Sequence, residues 1–314
     1  MTFLLKRLAA AALTVFLVSA LTFAAFNIIP GDAASAMAGA DATPEQVEQI
    51  REKLGMNRPL HTRYAGWLKG FVSGDLGDSL RFGTPVASLL REKLPVTMTL
   101  AGLSFAMILV ISFPLALLTT RRENGITDRA ASAVTTVSVS VPNFFLGVLI
   151  IWVFSLALKL FTAGAYVPRE QSAGGFVAYL VFPALAVALP LSAMVVKFLR
   201  SAIFEQKREA YVRTAYSEGS SSGRVLSRHV LKNAVIPTVT FLGMIIGDIL
   251  GGSIVVEQVF SVPGLGRLLL SAVNSRDFPL LQTLVAYVTL AVVLANTLVD
   301  IAISVIDPRI RVAA

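Results

Sequence analysis

The chain contains no cysteine and only two histidines. Without thiols it can form no disulfide, no thiolate metal site and no cysteine nucleophile. His61 and His229 fall on opposite sides of the membrane in the topology argued below, so no metal centre is expected. Charge is scarce as well: 15% of the 314 residues are charged, 55% are hydrophobic, and the mean hydropathy is +0.73. That is far more apolar surface than one soluble core requires, and it predicts an all-α integral membrane protein. There is no Gly-x-x-x-x-Gly-Lys-Ser/Thr loop. The nearest stretch, Gly219 to Gly223, is too short and lacks the lysine that reaches the phosphates, so no ATPase site is expected in this chain. The net charge of +8 is spread over membrane-flanking segments with no nucleic-acid module around it, and no nucleic-acid partner is expected.

What the chain has in quantity is long apolar runs. Crossing about 30 Å of hydrocarbon takes about 20 helical residues. Six runs qualify: Leu8 to Ile29, Thr97 to Thr120, Ala130 to Leu158, Phe182 to Leu199, Ile236 to Val256 and Leu280 to Ile306. The third is overlong, and Pro142 is expected to kink or restart it. With the N-terminus inside, fifteen lysines and arginines flank the spans on the cytoplasmic side and four sit in the short outer loops. That asymmetry predicts a multi-pass protein of the bacterial inner membrane with both termini cytoplasmic. Ala36-Met37-Ala38 resembles a signal-peptidase site, but the first apolar run of 22 residues exceeds a signal h-region and reads as a retained anchor. The organisation that follows is a tail and first span over 1–29, an outer (periplasmic) segment over 30–96, and a core over 97–314 holding spans two to six and a cytoplasmic loop at 201–235.

Within the outer segment, Thr43, Pro44 and Gln46 form the start of a helix with a capping box, and Gly55 stops it after Leu54. Val47, Ile50 and Leu54 share a face. This reads as a surface helix packed on the mouth of the membrane domain.

The most unusual segment is Glu205 to Pro237, polar and basic between apolar runs. It reads as two short helices, Glu205 to Ser217 and Arg224 to Ala234, joined at the turn Gly219 to Gly223. A solvated connection is the plain reading. The mixture of Ala210, Val212 and Ala215 with charges also suits a helix lying on a partner.

Here the sequence resembles a known family, the inner-membrane permease subunits of ATP-binding-cassette importers in the dipeptide, oligopeptide and nickel branch. Tyr211-Val212-Arg213-Thr214-Ala215 with Gly219 is similar to that branch's form of the family's EAA loop. Arg228, His229, Leu231, Asn233, Ala234, Ile236 and Pro237 resemble its continuation. Further matches are Gly74-Asp75-Leu76-Gly77, Pro142-Asn143-Phe144, Gly251-Gly252, Val256-Glu257, Val259-Phe260, Pro263-Gly264-Leu265-Gly266 and Asp307-Pro308-Arg309. Arg213-Thr214 stands where the general loop has Glu-Ala, and Ala33 follows Pro30-Gly31-Asp32 where many relatives have a proline.

The resemblance implies a type I importer permease fold of six transmembrane helices. It implies half of a translocation pathway for peptides, working with a homologous permease, two cytoplasmic ATPases that hold ATP and Mg, and an external substrate-binding protein. Tyr211, Val212, Arg213, Thr214, Ala215 and Gly219 would form the helix that couples to the ATPase. Ala215 and Gly219, four apart, would let that helix approach its partner closely. Nickel complexes and glutathione are the alternative cargoes.

Ionisable residues inside spans are functional candidates by default, because leaving one unpaired in lipid costs several kcal/mol. Asp248 is placed to line the pathway, or to fix the bundle through a hydrogen bond; Asp300 reads as structural. Asn143 and Asn296 are weaker pathway candidates, and Glu257 is expected at an outer gate or a docking surface for the binding protein. Gly251 and Gly252 read as close helix packing. An ion-coupled secondary transporter is the rival reading, but only Asp248 lies near the middle of the bilayer where such carriers gather several carboxylates.

Overall fold

The computed structural model describes residues 2–28, 33–38, 42–53, 55–120 and 125–306. Pro30 to Asp32, Leu54, Arg121, Arg122, Asp307 to Arg309 and the side chain of Asp300 lie outside the described residues. The helices are α1 (Thr2–Ile28), α2 (Ala33–Ala38), α3 (Pro44–Lys53), α4 (Leu60–Ser73), α5 (Val86–Thr120), α6 (Ile126–Ser140), α7 (Asn143–Ile150), α8 (Ala173–Lys207), α9 (Ala210–Ser217), α10 (Ser222–Arg224), α11 (Leu231–Val259), α12 (Leu265–Asn274) and α13 (Phe278–Ile306). Wider π-helical turns at Ile151–Ala157 and Val225–Val230 extend α7 and precede α11. Among the described residues the only sheet-like pairing is one isolated bridge between Asp78 and Pro85.

Among the described residues five helical stretches are long and apolar enough to cross a membrane. The sixth run is the one with the proline. Its halves, Ser132–Ser140 and Asn143–Ala157, meet at 103°. Pro142 has no N–H to continue the ladder of α6, and Val141 before it is extended at φ −94 and ψ 124. The sequence anticipates the break; the near right angle makes it a broken or re-entrant element rather than a kinked span.

The chain divides into two compact units, with α5 and α13 each shared between them. The first comprises Met1–Thr97 and Pro263–Leu294. The capping box of α3 is present: Thr43 N–H donates to Gln46 Oε1 at 3.0 Å and Gln46 N–H to Thr43 Oγ1 at 3.4 Å. Backbone N–H donation and the Thr43 hydroxyl hold the Glu45 carboxyl below the usual carboxylate range. The Gly74-Asp75-Leu76-Gly77 motif is a chain reversal. Gly74 at φ +83 ends α4, Gly77 sits at φ +69, and between them Leu76 enters a core with Val86, Leu90, Leu268 and Leu284.

The second unit comprises Met98–Val262 and Ala295–Ala314. Its centre is α8, of whose apolar stretch 72% is buried, and α6, α7 and α11 pack around it. Ser172 caps α8 by accepting from Gly175 N–H at 3.0 Å. At the other end of α8, Lys207 Nζ donates to the Thr120 carbonyl at 2.6 Å, satisfying an acceptor at the end of α5. Gly243 allows α11 to meet α13, since a Cβ there would lie 2.6 Å from Val299 Cγ1.

Candidate functional site: a docked polar helix and an uncovered helix face

The polar segment begins where α8 stops. Glu209 is extended at φ −67 and ψ 150, which turns the chain into the eight-residue α9. Such a short helix is marginal alone and depends on packing. Val212 and Ala215, 1% and 5% exposed, supply that packing in a cluster with Leu199, Ile203, Val225, Val230 and Ala234. Tyr211 pins the same edge: its hydroxyl donates to Gln206 Oε1 at 2.7 Å and accepts from Asn233 Nδ2 at 3.0 Å. The outward face is left with Arg213, Thr214, Tyr216, Ser217 and Glu218, all exposed.

These positions alter the expected division of labour. Ala215 faces its own bundle and is not available for close approach to another protein. Gly219 is not on the helix at all. It lies past the end of α9 at φ +82, where its N–H donates to Tyr216 O at 3.0 Å and Ser220 N–H to Ala215 O at 3.1 Å. That is a glycine helix stop requiring a left-handed residue. The two small residues therefore serve docking and termination, and the large exposed aromatic is Tyr216, which the motif reading passed over. The expected second short helix is also absent as a separate element: Ser222–Val259 runs as one helical rod. The serines end no helix here; they open one.

A Cβ at Gly219 would meet nothing within 4 Å. Gly219→Ala should therefore cost about 1 kcal/mol from backbone conformation alone, and Gly219→Trp no more than that in the isolated chain. Melting of the two variants in detergent checks this. A much larger loss for tryptophan in the purified chain would contradict the open surroundings of this turn.

Along α11, exposed residues recur as Pro237, Thr240, Met244, Asp248, Gly251, Val255 and Gln258. Steps of three and four residues place them on one stripe. Asp248 thus sits on a face that its own chain leaves uncovered, and the mixture of polar, small and apolar side chains is unlike a plain lipid face. The opposite face is buried and includes Glu257, at 0% exposure. A fully buried carboxylate has no surface to offer a docking protein, which removes that part of the expectation for Glu257. Asn143, at the start of α7, lies against α11: a Cβ at Gly252 would come within 2.6 Å of its Nδ2. Close packing is therefore the role of Gly252, whereas Gly251 belongs to the uncovered stripe and has open space at its Cα. Asn296 is exposed on α13.

Two further polar anchors carry structure that the sequence reading missed. Tyr179 hydroxyl donates to the Phe260 carbonyl and accepts from Gly164 N–H at 3.0 Å. Asp277, fully buried, accepts from the Ser79 hydroxyl, from Arg81 N–H at 3.1 Å and from Leu280 N–H at 3.2 Å. An aspartate directly before Phe278-Pro279 is a readable helix N-cap signal. Its long-range partners, Ser79 and Arg81, are not readable from that signal.

Residues 112–312 match the family described as "Binding-protein-dependent transport system inner membrane component", and residues 1–101 match its N-terminal companion. A putative peptide transport system permease protein of Brucella abortus is 37% identical over 308 residues, covering 98% of both chains. The oligopeptide transport system permease protein AppB of Bacillus subtilis is 33% identical over 94% of both, and the glutathione transport system permease protein GsiC of Escherichia coli is 34% identical over 99% of both. Among solved structures, an inward-facing MetNI methionine ABC transporter chain superposes with a TM-score of 0.56 at 18% identity, covering 70% of this chain and 96% of that one. This last likeness speaks to the fold.

Proposed function

The chain belongs to the family of binding-protein-dependent transport system inner membrane components, and from that premise we propose that it is one half of the translocation pathway of an ATP-driven peptide importer. The observation that carries the mechanism is α9: a polar helix held by Val212 and Ala215 to the end of a buried span, with Arg213, Thr214, Tyr216 and Ser217 turned outward. Seated in a groove of a cytoplasmic ATPase, that face would pass the partner's movement into α8 and α11 through the cluster beneath it. ATP and Mg are held by the two partner ATPases. A homologous permease faces the stripe on α11 across the pathway, and an external binding protein delivers the substrate. Both termini are cytoplasmic in this reading, as the positive-charge asymmetry favours.

The test is purification of the tagged chain from detergent-solubilised native membranes, followed by mass spectrometry and an ATPase assay. Recovery of a second permease with ATPase subunits, and their loss with Arg213→Ala combined with Tyr216→Ala, is the expected result. A chain that purifies alone and moves solute on an ion gradient would overturn the reading.

Asp248 meets the amino group of the passing peptide in this scheme. Being exposed, Asp248→Asn should leave stability within about 0.5 kcal/mol. Uptake of peptides with a free N-terminus by reconstituted complex should fall roughly tenfold, about 1.4 kcal/mol, with N-acetylated peptides little changed. Equal loss for both substrates would assign Asp248 a structural role.

A further inference from the structure

At the C-terminal end of α1 a cavity of about 320 Å³ opens between α1, the turn Gly55 to Arg58, α4 and the start of α13. Its walls are aromatic, with Phe23 and Phe26 from α1, Trp67 from α4 and Phe278 from α13. Phe26 and Phe278 hold its far side with ring centroids 5.6 Å apart. The cations lining it are Arg58 and Arg63, and among the described residues no aspartate or glutamate lines it. Arg63 is held in place, donating to Asn27 Oδ1 at 3.0 Å with its guanidinium 5.7 Å from the centre of the Phe23 ring. Burial pushes its pKa down. Gln282 also lines the cavity, is 5% exposed, and has a side-chain nitrogen without a hydrogen-bond partner. A buried donor left unpaired costs roughly 1–3 kcal/mol, so an acceptor brought into this cavity recovers that cost.

A second, almost wholly apolar groove of about 340 Å³ shares Phe23 and Asn27 with the cavity and continues past Ala20, Ala24 and Leu60. The helix along which it runs is the least covered of the five unbroken spans among the described residues: 6% of the apolar stretch of α1 is buried, against 72% for α8. A cationic donor set at the end of an apolar span, joined to an apolar groove along a helix that the chain leaves mostly uncovered, has the chemistry of an amphiphile site.

We propose that this cavity and groove bind one anionic phospholipid, with its phosphate at Arg58, Arg63 and Gln282 and an acyl chain along α1. In the orientation proposed above it belongs to the outer leaflet. Two guanidinium groups lining a cavity that has no aspartate or glutamate among its described lining residues favour a net negative headgroup over a zwitterion. The adjoining apolar groove separates a lipid from a soluble anion or a peptide carboxylate, neither of which would fill it.

The test uses the assembled complex in nanodiscs carrying a photoactivatable phosphatidylglycerol, with labelled peptides identified by mass spectrometry. Label is expected on α1 and α4, displaced by excess unlabelled phosphatidylglycerol and not by phosphatidylcholine. It should fall at least tenfold in the double variant Arg58→Gln, Arg63→Gln. Equal competition by phosphatidylcholine, undiminished label in the double variant, or displacement by a transported peptide at constant lipid content would each overturn the assignment, the last by giving the cavity to the substrate. The competition arms use the unaltered chain and do not depend on how the variant folds.

Discussion

Val212→Asp is expected to abolish peptide uptake, reducing it more than 100-fold, and to strip the ATPase subunits from the purified complex. Val212 is 1% exposed and packs into the cluster under α9. An aspartate there would bury a carboxylate with no cation in the cluster, and the effective cost is several kcal/mol. An eight-residue helix has little stability of its own to set against that. The cheapest escape is for α9 to roll its buried face into water, which carries Arg213 and Tyr216 away from their outward positions. Ala215→Asp should do the same for the same reason. Arg213→Ala is the contrast, because an exposed side chain leaves the docking untouched and weakens only the encounter with the partner, by about 1 kcal/mol. Melting of the purified chain, copurification and uptake together separate the two mechanisms. Normal uptake with Val212→Asp would mean that α9 does not transmit the partner's movement.

Asp277→Ala is expected to be the most destabilising single truncation in the first unit, at about 3–5 kcal/mol. Its carboxylate accepts from the Ser79 hydroxyl, from Arg81 N–H and from Leu280 N–H, with no exposed surface. Bonds to charged acceptors contribute about 1.5–3 kcal/mol each, and these donors would be left wholly or partly buried without one. The Leu280 bond is the N-cap of α13, worth about 1 kcal/mol by itself. Asp277→Asn should lie between, since asparagine caps a helix as well as aspartate but has one oxygen for two sets of donors. Ser79→Ala should cost least: both backbone donors to the carboxylate stay served, and only the Phe82 N–H, which donates to the Ser79 hydroxyl at 3.1 Å, loses its acceptor. Apparent melting temperatures of the three variants check the order. A Ser79→Ala loss equal to that of Asp277→Ala would show that the hydroxyl, rather than the carboxylate, organises the turn.

Much of the fold is legible in the chain because its physical causes are local. Among the described residues the six apolar runs lie in helix apart from the break at Val141 and Pro142 and the end at Leu158, since a backbone in hydrocarbon has few other ways to satisfy its own polar groups. The start of α3 follows from Thr43 and Gln46, whose capping bonds span three residues. The break at Pro142 follows from a missing N–H. The angle of 103° does not, because it is set by what α7 packs against, α8 and α11, and not by the proline.

The polar segment shows where such reading stops. Composition marks Glu205 to Pro237 as different and places helix-forming residues around Gly219, but it assigns Ala215 and Gly219 to one helical face. Gly219 lies past the helix end because a left-handed residue stops α9 there. Val212 and Ala215 turn inward because α8 and the rod beginning at Ser222 supply a cluster for them, and those residues lie on other elements before and after α9. The same holds for Asp277, a recognisable cap whose bonds to Ser79 and Arg81 cross almost 200 positions. Membrane class, spans, caps and the segment that differs from them are readable along the chain, since hydrophobicity and backbone chemistry act over a few residues. Which faces of α9 and α11 are covered is settled by packing, since burial depends on which other elements arrive to exclude water.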